Sequence, residues 1–535
     1  MDQKNFNVGD LEYTDQQTWD LICDGRTKGV YQLESNLGKS WAKRVRPKNI
    51  EELAALVALI RPGCLKAIVD GKSMTQHYVD RKHGQAEITY VHESLEPILK
   101  STQGVLVYQE QSMEIAQKIA GFNLEEADNL RKAIGKKQAD LMAQIKKKFI
   151  KGAADESIVS KEAAEEIFGW IEKSSRYAFN KSHAVSYAIC GYWSAYAKAH
   201  YPLEFYSNYL KHAKNKPDPQ QEVRELVSDA KLSEINVQPP SIDKLNEETE
   251  IIHNKIHFGL RDLKSIGTNQ INKLKLALSE YDPEDIEISD YSTDLSSWTW
   301  YEFLVRLSHK INSSTMTAML SVGMFSHSKI SRNKMLDEFD TWEKLTAKER
   351  DWVSSKSTKW DTLVDAMRSL SPRKKEGGGT FNEARSQTVR DLILHLENPA
   401  YSLDDTPDWV AQTEQQYLGV PITYSKVDSC DTSSANTTCK EFVDGGRKSA
   451  ALAVSINAVR KYTIKKGKMK GEDMAFLEVE DHSSPLDNVV IFPENLEKYK
   501  SLLYEGNTVL LSGNRSKKEG QRNNDSLIIE RVRQI

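Results

Sequence analysis

Between residues 30 and 215 the apolar positions recur every three or four residues, and over roughly the last hundred they fall into short alternating or continuous runs. The first pattern predicts helices. Asn49 is a fitting N-cap, with Glu52 in the capping-box position, for "IEELAALVALI", which the turn formers Arg61-Pro62-Gly63 should stop. A second helix, "EQSMEIAQKIA", ends at Gly121. A third starts at Asn123 with Glu126 in the box position and runs to Gly135, placing Arg131 and Lys132 in its last turn. The lysine-rich "ADLMAQIKKKFI" makes a fourth. A further helix over about 184–200 should turn Val185, Ala188, Ile189, Tyr192 and Tyr196 to the core.

From residue 236 "NVQPPSIDKLN" breaks helical order. The stretch 257–278, "HFGLRDLKSIGTNQINKLKLAL", reads as a short strand, a helix, a turn at Ile266-Gly267 and another helix, and "SSTMTAMLSVGMFSH" is a second such unit, around Val322-Gly323. Both resemble helix-hairpin-helix units, whose glycine lets backbone N–H groups approach phosphates, and both equally fit ordinary helical corners. "SPRKKEGGGT" and "SSANTTCKEFVDGGRKS" read as loops.

The terminal pattern predicts strands in "AALAVSINAVRKYTI", "MAFLEVEDH", "DNVVIF", "NTVLLSG" and "DSLIIERVRQI", with the helical "PENLEKYKSLL" between the third and fourth. That order is that of an OB-fold, a five-stranded barrel. Its first loop brings Lys465, Lys466 and Lys468, and its last brings Lys517 and Lys518. Lysines there would face single-stranded nucleic acid, or would only keep a small barrel soluble.

Charge changes this picture locally. The 535 residues carry 73 basic and 77 acidic groups, a net −4, yet residues 131–151 hold eight Lys or Arg and one Asp. The five cysteines form no Cys-x-x-Cys pair, so no structural zinc is expected, and a reducing, cytoplasmic setting with no membrane contact is.

Candidate chemistry gathers in "YAFNKSHAVSYAICGYW", where Asn180, Lys181, Ser182 and His183 precede a helical run. These residues either cap the helix or hold an anion at its N-terminus, Lys181 adding full charge. Arg131, Lys132, Lys136 and Lys137 in "LRKAIGKK" either complement a helix C-terminus or join a cationic cleft for polyphosphate. No Asp-x-Asp pair for two-metal phosphoryl transfer and no P-loop occurs in the sequence.

The series "GVYQLES", "LVALIRPG", "YVDRKHG", "HESLEPIL", "GVLVYQEQSMEIAQKIAGFNLEEADNLRKAIGKK", "YAFNKSHAVSYA" and "AKAHYPLEFY" resembles, in order and spacing, the fingers region of the C-family replicative DNA polymerases, the bacterial DNA polymerase III alpha subunits. "VQPPSID" and "FGLRDLKSIG" resemble the family's continuation. The resemblance implies a multidomain α+β chain. Its expected parts are a palm-to-fingers segment (1–35), mainly helical fingers (36–235), a helix-hairpin-helix region (236–335), a helical linker region (336–448) and an OB-fold barrel (449–535). It implies dNTP contacts from Arg131, Lys132, Tyr177, Asn180, Lys181, Ser182 and His183. The expected DNA contacts are Lys136, Lys137, Ile266, Gly267, Thr268, Lys465, Lys466, Lys468, Lys517 and Lys518.

Lys132 stands where the family often has Arg, and Ala178 where it often has Gly. The family's catalytic aspartates precede this region. The expectation is therefore the C-terminal part of a split DNA-directed DNA polymerase, inactive alone. Mg2+ would be bound by a palm-bearing N-terminal partner chain, with template-primer DNA, single-stranded template and a sliding clamp as further partners. The alternative is a non-catalytic DNA-binding protein derived from the same fold.

Overall fold

The computed structural model describes residues 7–136, 139–174, 177–278, 295–354, 360–370, 383–445, 447–465, 467–516 and 526–535. Lys137, Lys466, Lys517 and Lys518 lie outside the described residues, as does the side chain of Lys136. The chain divides into two units, Met1–Pro202 and Leu203–Ile535.

The first unit contains α1 (Gln16–Cys23), α2 (Asn36–Val45), α3 (Ile50–Leu59), α4 (Pro62–Lys66), the hairpin β1 (Ile68–Val69) and β2 (Lys72–Ser73), α5 (Met74–Lys82) and α6 (Glu96–Leu99). It continues with α7 (Gln109–Ala120), α8 (Leu124–Lys136), α9 (Ala139–Glu156), α10 (Lys161–Ser174) and α11 (Lys181–His200). The Asn49 side chain caps α3 by accepting from the Glu52 N–H at 2.9 Å, and Glu52 accepts in return from the N–H of Lys48, one residue further out than a capping box requires. Arg61-Pro62-Gly63 ends α3 and at once begins α4, because Pro62 occupies a first-turn position where its missing N–H costs nothing.

Asn123 and Glu126 form the reciprocal box at the start of α8, at 2.9 and 3.1 Å. That helix does not stop at Gly135 but runs through it to Lys136, since packing against α7 and α9 outweighs the roughly 1 kcal/mol that an interior glycine costs. The sequence reading passed over α10, although Ala164, Ile167, Phe168 and Ile171 mark its buried stripe. Phe168 joins Phe149 and Phe122 in one core, with ring centroids 5.2 and 6.1 Å apart along that line.

Helix α11 begins at Lys181, three residues before the expected 184, because Asn180 caps it. Of the expected core face, Ala188 and Tyr192 are buried, Val185 and Tyr196 pack against the same core partly buried, and Ile189 remains partly exposed; Ala184, Gly191 and Ala195 are buried beside them. Small residues suit this face because α11 packs along α3, whose buried side includes Ala54, Ala55 and Ala58.

In the second unit, α12 (Pro202–His212) and α13 (Pro219–Leu232) precede β3 (Val237–Gln238), β4 (Glu250–Ile252) and β5 (Lys255–His257), which form a small sheet in the order β3-β5-β4. After β5 the helix expected before Gly267 is a single 3-10 turn, Leu260–Asp262, followed by α14 (Thr268–Leu278). Local bonding tightens it: the Asp262 carboxylate accepts from Gly259 N–H at 2.7 Å and Thr249 Oγ1 at 2.8 Å.

Next come α15 (Trp300–Leu307), α16 (Ser313–Ser321), α17 (Arg332–Glu343), α18 (Ala347–Ser354), α19 (Leu363–Arg368), α20 (Glu383–Glu397), α21 (Pro407–Tyr417) and α22 (Cys439–Val443). The barrel then follows the expected order: β6 (Ser449–Thr463), β7 (Asp473–Glu480), β8 (Pro485–Ile491), α23 (Pro493–Lys498), β9 (Thr508–Ser516) and β10 (Ser526–Gln534). Its strands are ordered β10-β8-β7-β6-β9, and pairing of β9 with β10 closes the ring. The β8–β10 pair is parallel and the others are antiparallel. Leu452, Val454, Leu477, Val489, Leu511 and Ile529 fill the interior. The fold is mixed α+β with a closed five-stranded barrel, as an OB-fold requires.

Candidate nucleotide and nucleic-acid interface

At the start of α11 the polar tetrapeptide is ordered by its own bonds. The Asn180 side-chain oxygen accepts from His183 N–H at 2.8 Å and from Ser182 Oγ at 2.7 Å, so the residue is a true N-cap. Its amide nitrogen donates to Glu110 Oε1 at 2.8 Å, and the Lys181 N–H donates to Glu110 Oε2 at 2.9 Å. Lys181, Ser182 and His183 are exposed on this first turn, the ammonium of Lys181 lying 5.9 Å from the Tyr108 ring centroid.

The chain preceding the turn is pinned to α7. Phe179 N–H donates to Val107 O at 2.9 Å, and Gln109 N–H donates to Phe179 O at 3.0 Å, a one-residue parallel bridge between Tyr108 and Phe179. Burial pushes the Tyr177 hydroxyl well above its ordinary range, so it remains a neutral donor. Beside it the Cys64 thiol is pushed up to about 12 by burial.

An aromatic row continues along the exposed side of α11. Arg61 lies over Phe179 at 5.2 Å, Phe179 meets His183 at 5.4 Å, His183 meets Tyr187 edge-on at 3.9 Å, and Tyr187 meets Tyr31 at 5.2 Å. Arg61, Tyr31 and Glu110 escaped the sequence reading. Arg61 sat in a turn signal, and nothing in a linear sequence ties Glu110 to a helix 70 residues later.

Arg131 and Lys132 lie on α8, both paired to Asp128 one turn back, at 2.8 and 2.9 Å. Their hydrogen bonds, Lys132 first, hold the Asp128 carboxyl below its usual range. They are not on α11, and α7 is the common wall: its first turn holds the α11 start, and its buried face packs against α8.

On the barrel, β6 and β7 present an open groove of 660 Å³ lined by Tyr462, Ile464, Lys465, Lys468, Met469, Met474 and Phe492. Tyr462, Met469, Phe476 and Phe492 are 37–46% exposed. The Tyr462 and Phe476 rings stand 6.4 Å apart. Aromatic faces beside lysines are the equipment of single-strand binding, since every base can stack and every backbone is anionic. The lysines were legible in the sequence, but the aromatics were missed. The available signal was Phe476, an aromatic at an outward position of an otherwise alternating strand.

The two glycine turns differ. Around Gly267 a Cβ would meet open space, Ile266 is buried beneath it and Thr268 begins α14. Gly323 is buried with φ +79°, and an added Cβ would lie 2.6 Å from Arg332 Nε. Gly267 is exposed and Gly323 is buried, so of the two readings open for each turn the surroundings of Val322-Gly323 are those of a helical corner.

Among the described residues no group of three His, Cys, Asp or Glu is placed to hold a metal ion. No described helix is long and apolar enough to cross a membrane.

Residues 1–157 match the family of the bacterial DNA polymerase III alpha subunit finger domain. The chain is 33% identical over 424 residues to the DNA polymerase III subunit alpha of Aquifex aeolicus, covering 79% of this chain and 34% of that protein. With the Bacillus subtilis subunit identity is 27% over 95% of this chain and 41% of the relative. With the Borreliella burgdorferi subunit it is 28% over 99% and 42%. The chain thus spans less than half the length of these curated relatives, aligning with their C-terminal part. Residues 1–157 are a finger domain of this type, and over most of its length the chain is similar to the C-terminal portion of bacterial DNA polymerase III alpha subunits.

Proposed function

We propose that this chain grips the incoming deoxynucleoside triphosphate and holds template-primer DNA for a DNA-directed DNA polymerase. The Mg2+-binding carboxylates would come from a palm domain supplied on the same polypeptide or on another. The observation carrying the reading is the first turn of α11, where Lys181, Ser182 and His183 are exposed together in the unit whose residues 1–157 match the finger domain. Lys181 supplies charge to the triphosphate, His183 supplies a hydrogen bond, Ser182 does so on turning its hydroxyl away from Asn180, and Arg131 and Lys132 add positive charge from α8. Asn180 orders the turn and Tyr177 backs it. None of these groups needs to transfer a proton: positioning and charge neutralisation are the contributions phosphoryl transfer asks of such residues.

DNA contacts are proposed for Lys136, Lys137 and the Ile266-Gly267-Thr268 turn. In the barrel they are proposed for Lys465 and Lys468, which line the groove, and for Lys466, Lys517 and Lys518. A sliding clamp would be met through the assembled polymerase.

Hydrogen exchange tests the grip directly. Addition of dATP should slow exchange at residues 177–187 and at the end of α8. With a palm present, extension should depend on template. DNA binding without nucleotide-dependent protection would instead favour a non-catalytic DNA-binding protein.

The barrel makes a separate prediction. Replacing Lys465 and Lys468 by alanine should flatten the log–log salt dependence of single-strand binding by about 1.4, because each lost phosphate contact removes about 0.7. Phe476→Ala should weaken binding by about 1–3 kcal/mol with the slope unchanged, since stacking releases no counterion. Fluorescence titration of an oligothymidylate across salt concentrations separates the two effects, and equal slopes in all proteins would remove the lysines from the interface.

A further inference from the structure

Two helix beginnings meet at one carboxylate. Glu110 lies in the first turn of α7, whose start is itself fixed by Gln111: its side-chain oxygen accepts from the N–H groups of Val107 and Tyr108, both at 3.0 Å. Across the Tyr108–Phe179 bridge the same Glu110 takes the Lys181 N–H and the Asn180 amide of α11. The His183 N–H is taken by Asn180. The backbone end of α11, which would otherwise attract an anion, is therefore already supplied with one from within the chain.

A carboxylate beside a triphosphate site opposes the ligand's charge, so its presence requires a compensating role. The geometry supplies one. Asn180 is held at both ends of its amide, the oxygen by His183 N–H and Ser182 Oγ and the nitrogen by Glu110, which leaves the cap a single orientation.

We infer that Glu110 is the positioning residue of the nucleotide turn: it fills the helix-end anion site and, with Ser182 and His183, locks Asn180, so that the side chains of Lys181 and His183, and not the helix end, hold the triphosphate. This rests on the reading of that turn as the nucleotide grip. Without Glu110 the first turn of α11 loses two hydrogen bonds to a charged acceptor, each able to shift an equilibrium by roughly tenfold.

The test compares wild type, Glu110→Ala and Glu110→Gln by calorimetric titration with dATP, at low and high salt, and by hydrogen exchange without nucleotide. Glu110→Ala should bind dATP about tenfold more weakly at both salt concentrations. Exchange should accelerate at 181–184 while the 192–200 end of α11 keeps its protection. Glu110→Gln keeps an acceptor for one of the two donors and should lose about threefold; it also serves if the alanine variant does not fold. With a palm present, KM for dNTP should rise with kcat changed less than about threefold. Unchanged affinity, or tighter binding at low salt that disappears at high salt, would make Glu110 a mere local charge and overturn the inference. If wild type itself binds no dATP, the nucleotide reading fails first, which distinguishes the two failures.

Discussion

Substituting alanine for both Lys181 and Arg131 should lower template-directed incorporation by a palm-containing polymerase roughly a thousandfold. On the proposed reading each side chain would offer the triphosphate a charge-assisted contact of about 1.5–3 kcal/mol, and on separate helices their losses should add. The effect should be read in kcat/KM, because charge that moves during phosphoryl transfer is met by both groups in the transition state as well as on binding. Stability should hardly change. Arg131 shares Asp128 with Lys132, so its removal leaves that carboxylate paired, and an ion pair this exposed contributes little to stability. Single-turnover kinetics with melting curves for both variants check the claim, and a combined loss below tenfold in folded protein would discard it.

Local rules made much of this architecture legible. Caps at Asn49, Asn123 and Asn180 are written in residue type, and strand alternation with the intervening α23 gave the barrel its order. The first turn of α11 was visible because four polar residues interrupted an apolar pattern. What escaped lies in pairings distant along the chain: Glu110 with Asn180, Arg61 with Phe179, Tyr462 with Phe476. The small members of the α11 core face, Ala184, Gly191 and Ala195, escaped for a related reason: periodicity marks large apolar residues, and the approach of α3 also takes small ones. Glycines alone did not decide their surroundings, since Gly135 sits within a helix and Gly323 serves a buried arginine.

That arginine sets the second large effect, expected in stability. Glu414, fully buried, accepts from Arg332 Nη2 at 3.0 Å, from the N–H groups of Ile422 and Thr423 at 2.6 and 2.8 Å, and from Thr423 Oγ1. Arg332 also donates to Ser321 O at 3.0 Å, tying the end of α16 to α17 and α21. Glu414→Ala strands a buried guanidinium and should cost about 3–5 kcal/mol. Gly323→Ala should cost about 2–4 kcal/mol, because it forces a left-handed alanine and pushes Arg332 from the same carboxylate. Gly267→Ala, facing open space, should cost less than about 1 kcal/mol. Amide exchange of α16 and α17 under native conditions reads these losses locally, which matters in a chain with more than one unit. The double replacement Arg332→Met with Glu414→Leu should be less destabilising than Glu414→Ala alone, because it removes the charge that the single change leaves unpaired. A double variant as unstable as the sum of its parts would mean that packing at α21, and not the buried charge pair, holds this corner together.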